Sequence, residues 1–314
     1  MAAATPLWWG TVLLFACVGS GHAPALAGAP DHTPLYTAAS GAVVTSPAPA
    51  EGVARIPIPM NPQVWGALRV LLTDRAPSLA DAFSRARRFG GHLREIVRQA
   101  GLPDDILGLA FLESGMNPHA TSVAQAAGLW QFLESTARRY GLRTTPWVDE
   151  RRDPEKSTRA AAAYLRDLHR RFPSWPLALA AYHAGESAIQ RAVLYRHTRD
   201  LWRLGLPEKT ERLVATYLAM MLIGREPELY GFLPPTDAPV ETALLDVLGS
   251  TPLSTVARAV AVDVESLQDL NPELVRSITP PDRPYRLRIP RLHEPEPTHR
   301  PGGDTVARPP DLRK

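Results

Sequence analysis

From about Ile56 to Tyr230 the apolar residues recur at three- and four-residue spacing and nowhere alternate over the length of a strand. That periodicity commits this span to helices packed on helices around one core. The spacing predicts helices over Pro62–Leu72, Leu79–Phe89, His92–Ala100, Pro103–Glu113, Leu129–Tyr140, Pro154–Phe172, Trp175–Ala184, Glu186–Arg196 and Glu208–Gly224. Asp153-Pro154 supplies an N-cap followed by a proline at the first helical position, and Ser174-Trp175-Pro176 opens its helix in a similar way. Ala161, Tyr164, Leu165, Leu168 and Phe172 form one apolar stripe. A hydrophobic content of 45% over 314 residues is enough for a sizeable core.

The stretch "GFLPPTDAP" (Gly231–Pro239) ends the helical pattern. A small unit follows it: a strand at Val240–Leu244, helices at Leu253–Val260 and Val264–Leu270, a stop at Asn271-Pro272 and a strand at Tyr285–Ile289. Arg286 and Arg288 fall on one face of that last strand and read as solvated charge. The chain thus divides into a helical unit over 56–232, a βααβ module over 238–291 and a disordered tail over 292–314, rich in Pro, Gly and charge. Residues 28–55, dominated by Ala, Pro, Gly, Thr and Ser, read as a flexible linker.

The first 27 residues read as an export signal. Leu7–Val18 is apolar but short for a bilayer span, and Ala25-Leu26-Ala27 has the small-residue form of a cleavage site. No Lys or Arg precedes the apolar run. The single cysteine, Cys17, follows Leu14-Phe15-Ala16 and resembles a bacterial lipoprotein processing box, which would make 1–16 the signal and Cys17 a lipid anchor. Soluble export and anchoring both stay open. Either route places the protein in the periplasm or cell envelope, the second as an outer-membrane lipoprotein, and neither leaves a disulfide framework.

The net charge is +3, and lysine occurs only at 156, 209 and 314. Basic residues are interspersed with acids, which excludes a nucleic-acid footprint and leaves mild attraction to an anionic polymer or an ordinary solvated surface. There is no phosphate-cradling glycine loop, zinc-spaced His/Cys set or serine nucleophile elbow, so neither a cofactor nor a metal is expected. His169 reads as a surface group.

Chemistry concentrates in "LESGMNPHATSVAQAAGLWQF" (Leu112–Phe132). Asp104 and Asp105 suit the first turn of the preceding helix, where acids complement the dipole. Ile106, Leu109, Ala110 and Glu113 share its buried stripe. Glu113 also sits in the last turn, where the dipole disfavours a carboxylate. Burial and dipole both push towards a protonated acid near neutral pH, as a general acid requires. A frayed helix end with Glu113 in water is the other reading of this helix alone. Gly115 offers a left-handed turn, Gly128 permits close backbone approach, Trp130 can stack on a sugar and Gln131 can hydrogen-bond an amide. In "ALAAYHAG" (Ala178–Gly185) small residues surround Tyr182 and His183. Tyr182 can reach a partner carboxyl or serve as a core aromatic.

Taken together, Glu113-Ser114-Gly115-x-Asn117-Pro118-x-Ala120-x-Ser122, Gly128-Leu129-Trp130-Gln131-Phe132 and Ala181-Tyr182-x-Ala184-Gly185 resemble the catalytic domain of family 1 lytic transglycosylases. The resemblance is closer to the membrane-bound lytic murein transglycosylase D type, spans roughly Pro57–Tyr230, and includes "ARRYGL" and "VDERRDPEKSTRAAAAYL". It implies a mainly α, lysozyme-like (goose-type, SLT) domain with a cleft for peptidoglycan glycan strands. It implies cleavage between N-acetylmuramic acid and N-acetylglucosamine with a 1,6-anhydro product, and Glu113 as the single acid/base. Ser122 would orient the N-acetyl group, Gln131, Trp130 and His183 would contact substrate, and Tyr182 would hydrogen-bond near Glu113. A hydrolytic muramidase and a weakly catalytic wall-binding scaffold are the alternatives.

Several positions depart from the family pattern. His183 replaces a usual Asn, Gln125 a usual Gly, and Leu133-Glu134 a usual Met-Pro. The late tyrosine of the pattern is Leu213 here, with Tyr217 one turn further along the same face as a substitute. The C-terminal unit resembles a degenerate LysM module, which would bind N-acetylglucosamine-containing glycans; Ser250-Thr251-Pro252-Leu253 stands where that module's usual turn would be. A purely structural appendage fits equally.

Overall fold

The computed structural model describes residues 55–234 and 241–291. The expected signal, most of the linker and the tail lie outside these residues. The helical unit contains α1 (Pro62–Thr73), α2 (Ala76–Ala86), α3 (Gly90–Gln99), α4 (Leu107–Ser114), α5 (Glu134–Arg139), α6 (Pro154–Arg171), α7 (Trp175–Ala184), α8 (Glu186–Arg196) and α9 (Glu208–Arg225). Short 3-10 turns precede α4 and flank α9. The module adds β1 (Thr242–Val247), α10 (Leu253–Ala259), α11 (Val264–Leu270) and β2 (Tyr285–Pro290).

Local signals set the helix starts. Asn61 caps α1 by accepting from Val64 N at 2.9 Å, and Asp153 caps α6 by accepting from Lys156 N at 2.9 Å, each followed by proline at the first position. α9 is the central helix and packs against α1, α4 and α7. It is buried along nearly its whole length, through Val214, Tyr217, Leu218, Met221 and Ile223 among others. The α4–α9 approach is close: a Cβ on Gly108 would stand 3.2 Å from Met221 Cγ. Asp105 does more than face a helix dipole. It pairs with Arg225 at the end of α9 at 2.8 Å and accepts from Ile56 N at 2.6 Å, tying both ends of the unit together.

Two expected element boundaries need correction. The helix predicted from Leu129 begins only at Glu134, because 128–132 is a tight turn in which Gly128 and Gln131 have left-handed φ of +81° and +48°. The apolar spacing of Leu129 and Trp130 reflects burial of that turn, not helical period. The first module strand runs from Thr242, later than expected, and Val240 lies outside the described residues. β1 and β2 pair antiparallel with Leu245 opposite Leu287.

The module is docked on the helical unit. Val148 packs with Val247, Leu253, Leu267 and Leu287 in the module's core. Asp149 N donates to Glu273 O at 2.9 Å, and Val275 N to Trp147 O at 3.2 Å. Arg288, expected in solvent, is instead largely buried between Asp153 (2.6 Å) and Glu273 (3.0 Å). Its neighbour on that face, Arg286, is exposed and meets Asp246 at 3.3 Å. His169 also differs from expectation: it is half-buried and stacks on Trp175 at 4.3 Å.

Candidate active site

α4 ends because Gly115 turns left-handed, at φ +60°. Arg85 Nε donates to Gly115 O at 2.6 Å and steadies that turn. Ser114 Oγ then reaches Leu129 O at 2.9 Å and accepts from Asn117 N at 3.2 Å. These bonds stitch the end of α4, which carries Glu113, to the turn that carries Gln131.

Glu113 retains some exposure, but its carboxyl is largely withdrawn from water. Burial raises its pKa from 4.5 to about 7, and a hydrogen bond donated by the Tyr217 hydroxyl to Oε1 partly opposes that rise. Among the described residues no cation forms an ion pair with it. A group balanced near neutrality can hold a proton and release it in one reaction cycle. Tyr217 lies one turn beyond Leu213 on α9 and occupies the substitute position expected from the sequence.

The other residues separate into two groups. Ser122 is half-buried, and its Oγ accepts from Ala126 N at 3.1 Å. Gln131 is half-buried, with Nε2 donating to Gly128 O at 2.9 Å. His183 is half-buried near the end of α7; burial, then the Lys209 charge, lower its pKa, so the ring is neutral at neutral pH. These three keep surface that a ligand can reach. Trp130 does not. It is fully buried, and its Nε1 donates to Thr158 Oγ1 at 2.9 Å, so the expected stacking on a sugar is wrong: the indole is a core strut. Tyr182 donates to Trp130 O at 2.6 Å rather than to a carboxyl. It lies near enough to Glu113 that the carboxylate's charge, after burial, raises its own pKa well above 10.

Sequence reasoning left Arg151 and Arg152 without a role. Arg151 is buried, forms a two-point pair with Asp149 at 2.9 and 2.8 Å, and donates to Gln125 O at 2.8 Å and Phe132 O at 3.1 Å. It therefore holds both sides of the loop that presents Ser122 and Gln131. Arg152 holds the loop's start through His119 O and Thr121 Oγ1, both at 2.7 Å. A Cβ on Gly128 would lie 1.7 Å from Arg151 O, so no other residue fits there without a backbone shift. The only signal for this was the charge run "DERRD", which looks like surface. Gln125 adopts φ +60° where the family pattern has Gly, a conformation that costs a side-chain-bearing residue about 1–2 kcal/mol.

A shallow cavity of about 260 Å³ is lined by Tyr140, Leu142, Glu150, Lys156 and Arg159, and none of the candidate residues borders it. No group of His, Cys, Asp or Glu among the described residues could hold a metal, and no described helix is long and apolar enough to cross a membrane.

Residues 95–204 match the transglycosylase SLT domain, and residues 241–298 match the LysM-like domain of lytic transglycosylase MltD. The chain is 31% identical over 242 residues to membrane-bound lytic murein transglycosylase D of Escherichia coli strain K12, covering 75% of this chain and 53% of that protein. It is 33% identical over 129 residues to membrane-bound lytic murein transglycosylase F of Alcanivorax borkumensis, covering 38% of this chain and 24% of that protein. Among solved structures, the lytic transglycosylase Slt of Pseudomonas aeruginosa aligns with a TM-score of 0.37 at 24% identity, over 46% of this chain and 25% of that one. The chain spans about half the length of the curated relatives named first among these matches.

Proposed function

With a transglycosylase SLT domain followed by a LysM-like domain of the lytic transglycosylase kind, we propose that this chain cleaves peptidoglycan glycan strands without water and leaves 1,6-anhydro ends. The observation that carries the reading is the Glu113 carboxyl, raised by burial to about 7 and paired with a tyrosine rather than a cation. Protonated Glu113 gives its proton to the glycosidic oxygen as the C1–O bond breaks. The resulting carboxylate takes the proton from the sugar's own C6 hydroxyl as O6 bonds to C1. Hydrolysis ordinarily uses a second carboxyl group, placed to activate a water or to attack C1. Intramolecular attack makes that group unnecessary, because the bound sugar supplies its own nucleophile at high effective concentration.

Ser122, Gln131 and His183 have the exposure to contact the N-acetyl and hydroxyl groups of the strand. Tyr182 fixes the Trp130 carbonyl and Tyr217 orients the carboxyl. The catalytic unit spans 56–232 and the module 238–291. Export to the cell envelope follows from the N-terminal pattern, with cleavage after Ala27 or lipidation at Cys17 as its two routes.

Digestion of purified glycan strands and mass spectrometry of the products tests the reading. Anhydro ends support it. Reducing ends would make the protein a muramidase, and uncut strands would make it a binding or scaffold protein. For the anchor, Cys17→Ala followed by membrane fractionation decides: unchanged membrane association removes lipidation.

A further inference from the structure

The segment from Trp147 to Asp153 touches two things at once. Its inner side holds the loop with Ser122 and Gln131, through Arg151 to Gln125 O and Phe132 O, and through Arg152 to His119 O and Thr121. Its outer side is held by the C-terminal module. Asp149 N bonds Glu273 O, Val148 enters the module's core, and the Arg276 guanidinium covers the Trp147 ring at 4.8 Å. Arg288 closes the arrangement: it bonds Asp153 Oδ2 at 2.6 Å and Glu273 Oε1 at 3.0 Å, and Tyr285 OH adds a bond to Glu273 Oε1 at 2.9 Å.

The two carboxylates facing Arg288 are fully buried or nearly so, at 0% and 3% exposure, and Arg288 itself is at 19%. Withdrawing these groups from water is costly: burial, then the Asp153 charge, push the Glu273 carboxyl up, and Arg288 opposes that push through its two bonds. Asp153 is also the cap of α6, so this one residue joins the module, the segment and α6 of the helical unit. A second contact at the loop's start repeats the link: Asp269 of α11 pairs with Arg88 at 2.6 Å and lies 3.8 Å from His119.

We propose that the LysM-like module is a brace for the glycan-facing loop, and that Arg288 is a positioning residue which holds that loop through Asp153 and the 147–153 segment. The proposal rests on the transglycosylase reading for its kinetic consequence but not for its structural one. Binding a strand needs Ser122 and Gln131 fixed in place, so loosening their loop weakens ground-state and transition-state binding alike and raises KM. Glu113 itself is tied to α4 and α9, outside the brace.

The test uses the full chain carrying Arg288→Met, with Arg288→Lys as the conservative variant. Because Arg288→Met leaves two buried acids without a cation, the triple variant Asp153→Asn, Glu273→Gln, Arg288→Met is measured alongside; Asn keeps the α6 cap. Amide hydrogen exchange is followed at Gly128, Gln131 and Phe132, whose N–H groups are bonded within the loop. Both methionine variants are expected to lose protection there by at least about tenfold while α7 and α9 keep theirs, and Lys restores most of it. On glycan strands KM rises by about fivefold, with kcat within about twofold and the alkaline limb of the pH profile unmoved. The brace is overturned when the triple variant keeps a folded module together with wild-type loop exchange and wild-type KM. Loss of protection confined to 241–291 overturns it equally. Exchange needs no turnover, so a wild-type protein that releases no anhydro ends sinks the functional reading alone.

Discussion

Glu113 stands in the last turn of α4, Glu150 stands in the segment before α6, and burial pushes both carboxyls towards the neutral form. At Glu150 that push is overruled. Arg143 bonds it through its backbone N and its guanidinium, Lys156 adds an ammonium at 2.8 Å, and the carboxyl falls to about 2. At Glu113, among the described residues, the hydrogen-bonding partner is the Tyr217 hydroxyl, and the carboxyl rises to about 7. Burial alone therefore does not mark a functional acid. A buried carboxyl with no cation beside it is a candidate, because the proton then becomes the group's counter-charge.

Removing Glu113 is expected to have the largest consequence. Glu113→Gln keeps the shape and a hydrogen bond with Tyr217 but cannot cycle a proton. Release of anhydro ends should fall by about a thousandfold, within the range of a lost general acid/base. In the wild type, kcat/KM should decline above about 7, where the acid is ionised. Retention of full anhydro-product formation by Glu113→Gln would place the acid elsewhere.

The same pair makes opposite demands on stability. The folded pKa of Glu113 lies above its unfolded value of 4.5, so its contribution is whole below pH 4.5 and lost as pH rises towards 7. Glu113→Gln should therefore be more stable than wild type at pH 8 by up to about 3 kcal/mol, and the difference should vanish below pH 4.5. Glu150 has a lowered folded pKa, so its contribution is whole above pH 4.5 and lost as pH falls towards 2. Glu150→Ala should cost about 2 kcal/mol at pH 7, discounted because Arg143 and Lys156 are each about half exposed, and little near pH 2. Denaturant melts of both variants across pH should show two trends of opposite sign. Parallel trends would mean that the cation is not what separates the two acids.

Tyr217→Phe probes the one group that opposes the rise at Glu113. Without that donor the carboxyl should be harder still to ionise, and the alkaline limb of the kcat/KM profile should move to higher pH. The rate at pH 6 should fall by about threefold to tenfold as the carboxyl loses its orientation, a loss typical of one hydrogen bond. A limb that moves to lower pH would contradict the assigned role of this tyrosine.

Much of this was legible in the sequence because it depends on local pattern. The helices at 62–73 and 154–171 announce themselves by a capping residue followed by proline, and the helix at 208–225 by three-four spacing. Gly115 and the buried stripe leading to Glu113 are equally local. What could not be read was which polar residues face each other across the fold. Trp130 belongs to an apolar run and a sugar-binding pattern alike, and only its burial against Thr158 decides between them. Arg286 and Arg288 share a strand face and a residue type, yet one meets solvent and the other closes a buried network, because Asp153 comes from a distant helix start. Arg151 was hidden in the same way within a run of charges.

Lys209 gives the comparison its finest test. It is the cation whose charge, after burial, lowers the His183 pKa and helps keep that ring neutral. It does not figure among the causes of the Glu113 shift, which are burial and the Tyr217 bond. Lys209→Gln should therefore raise the His183 pKa, seen as an upward move of its imidazole titration by NMR, since a like charge has been removed. The alkaline limb of activity should shift by less than about 0.3 units, the residue of a charge screened by solvent. A larger rise of the limb would mean that Lys209 already favours the ionised form of Glu113, as Lys156 does at Glu150. The two acids would then differ in the distance of their cations rather than in whether they have one.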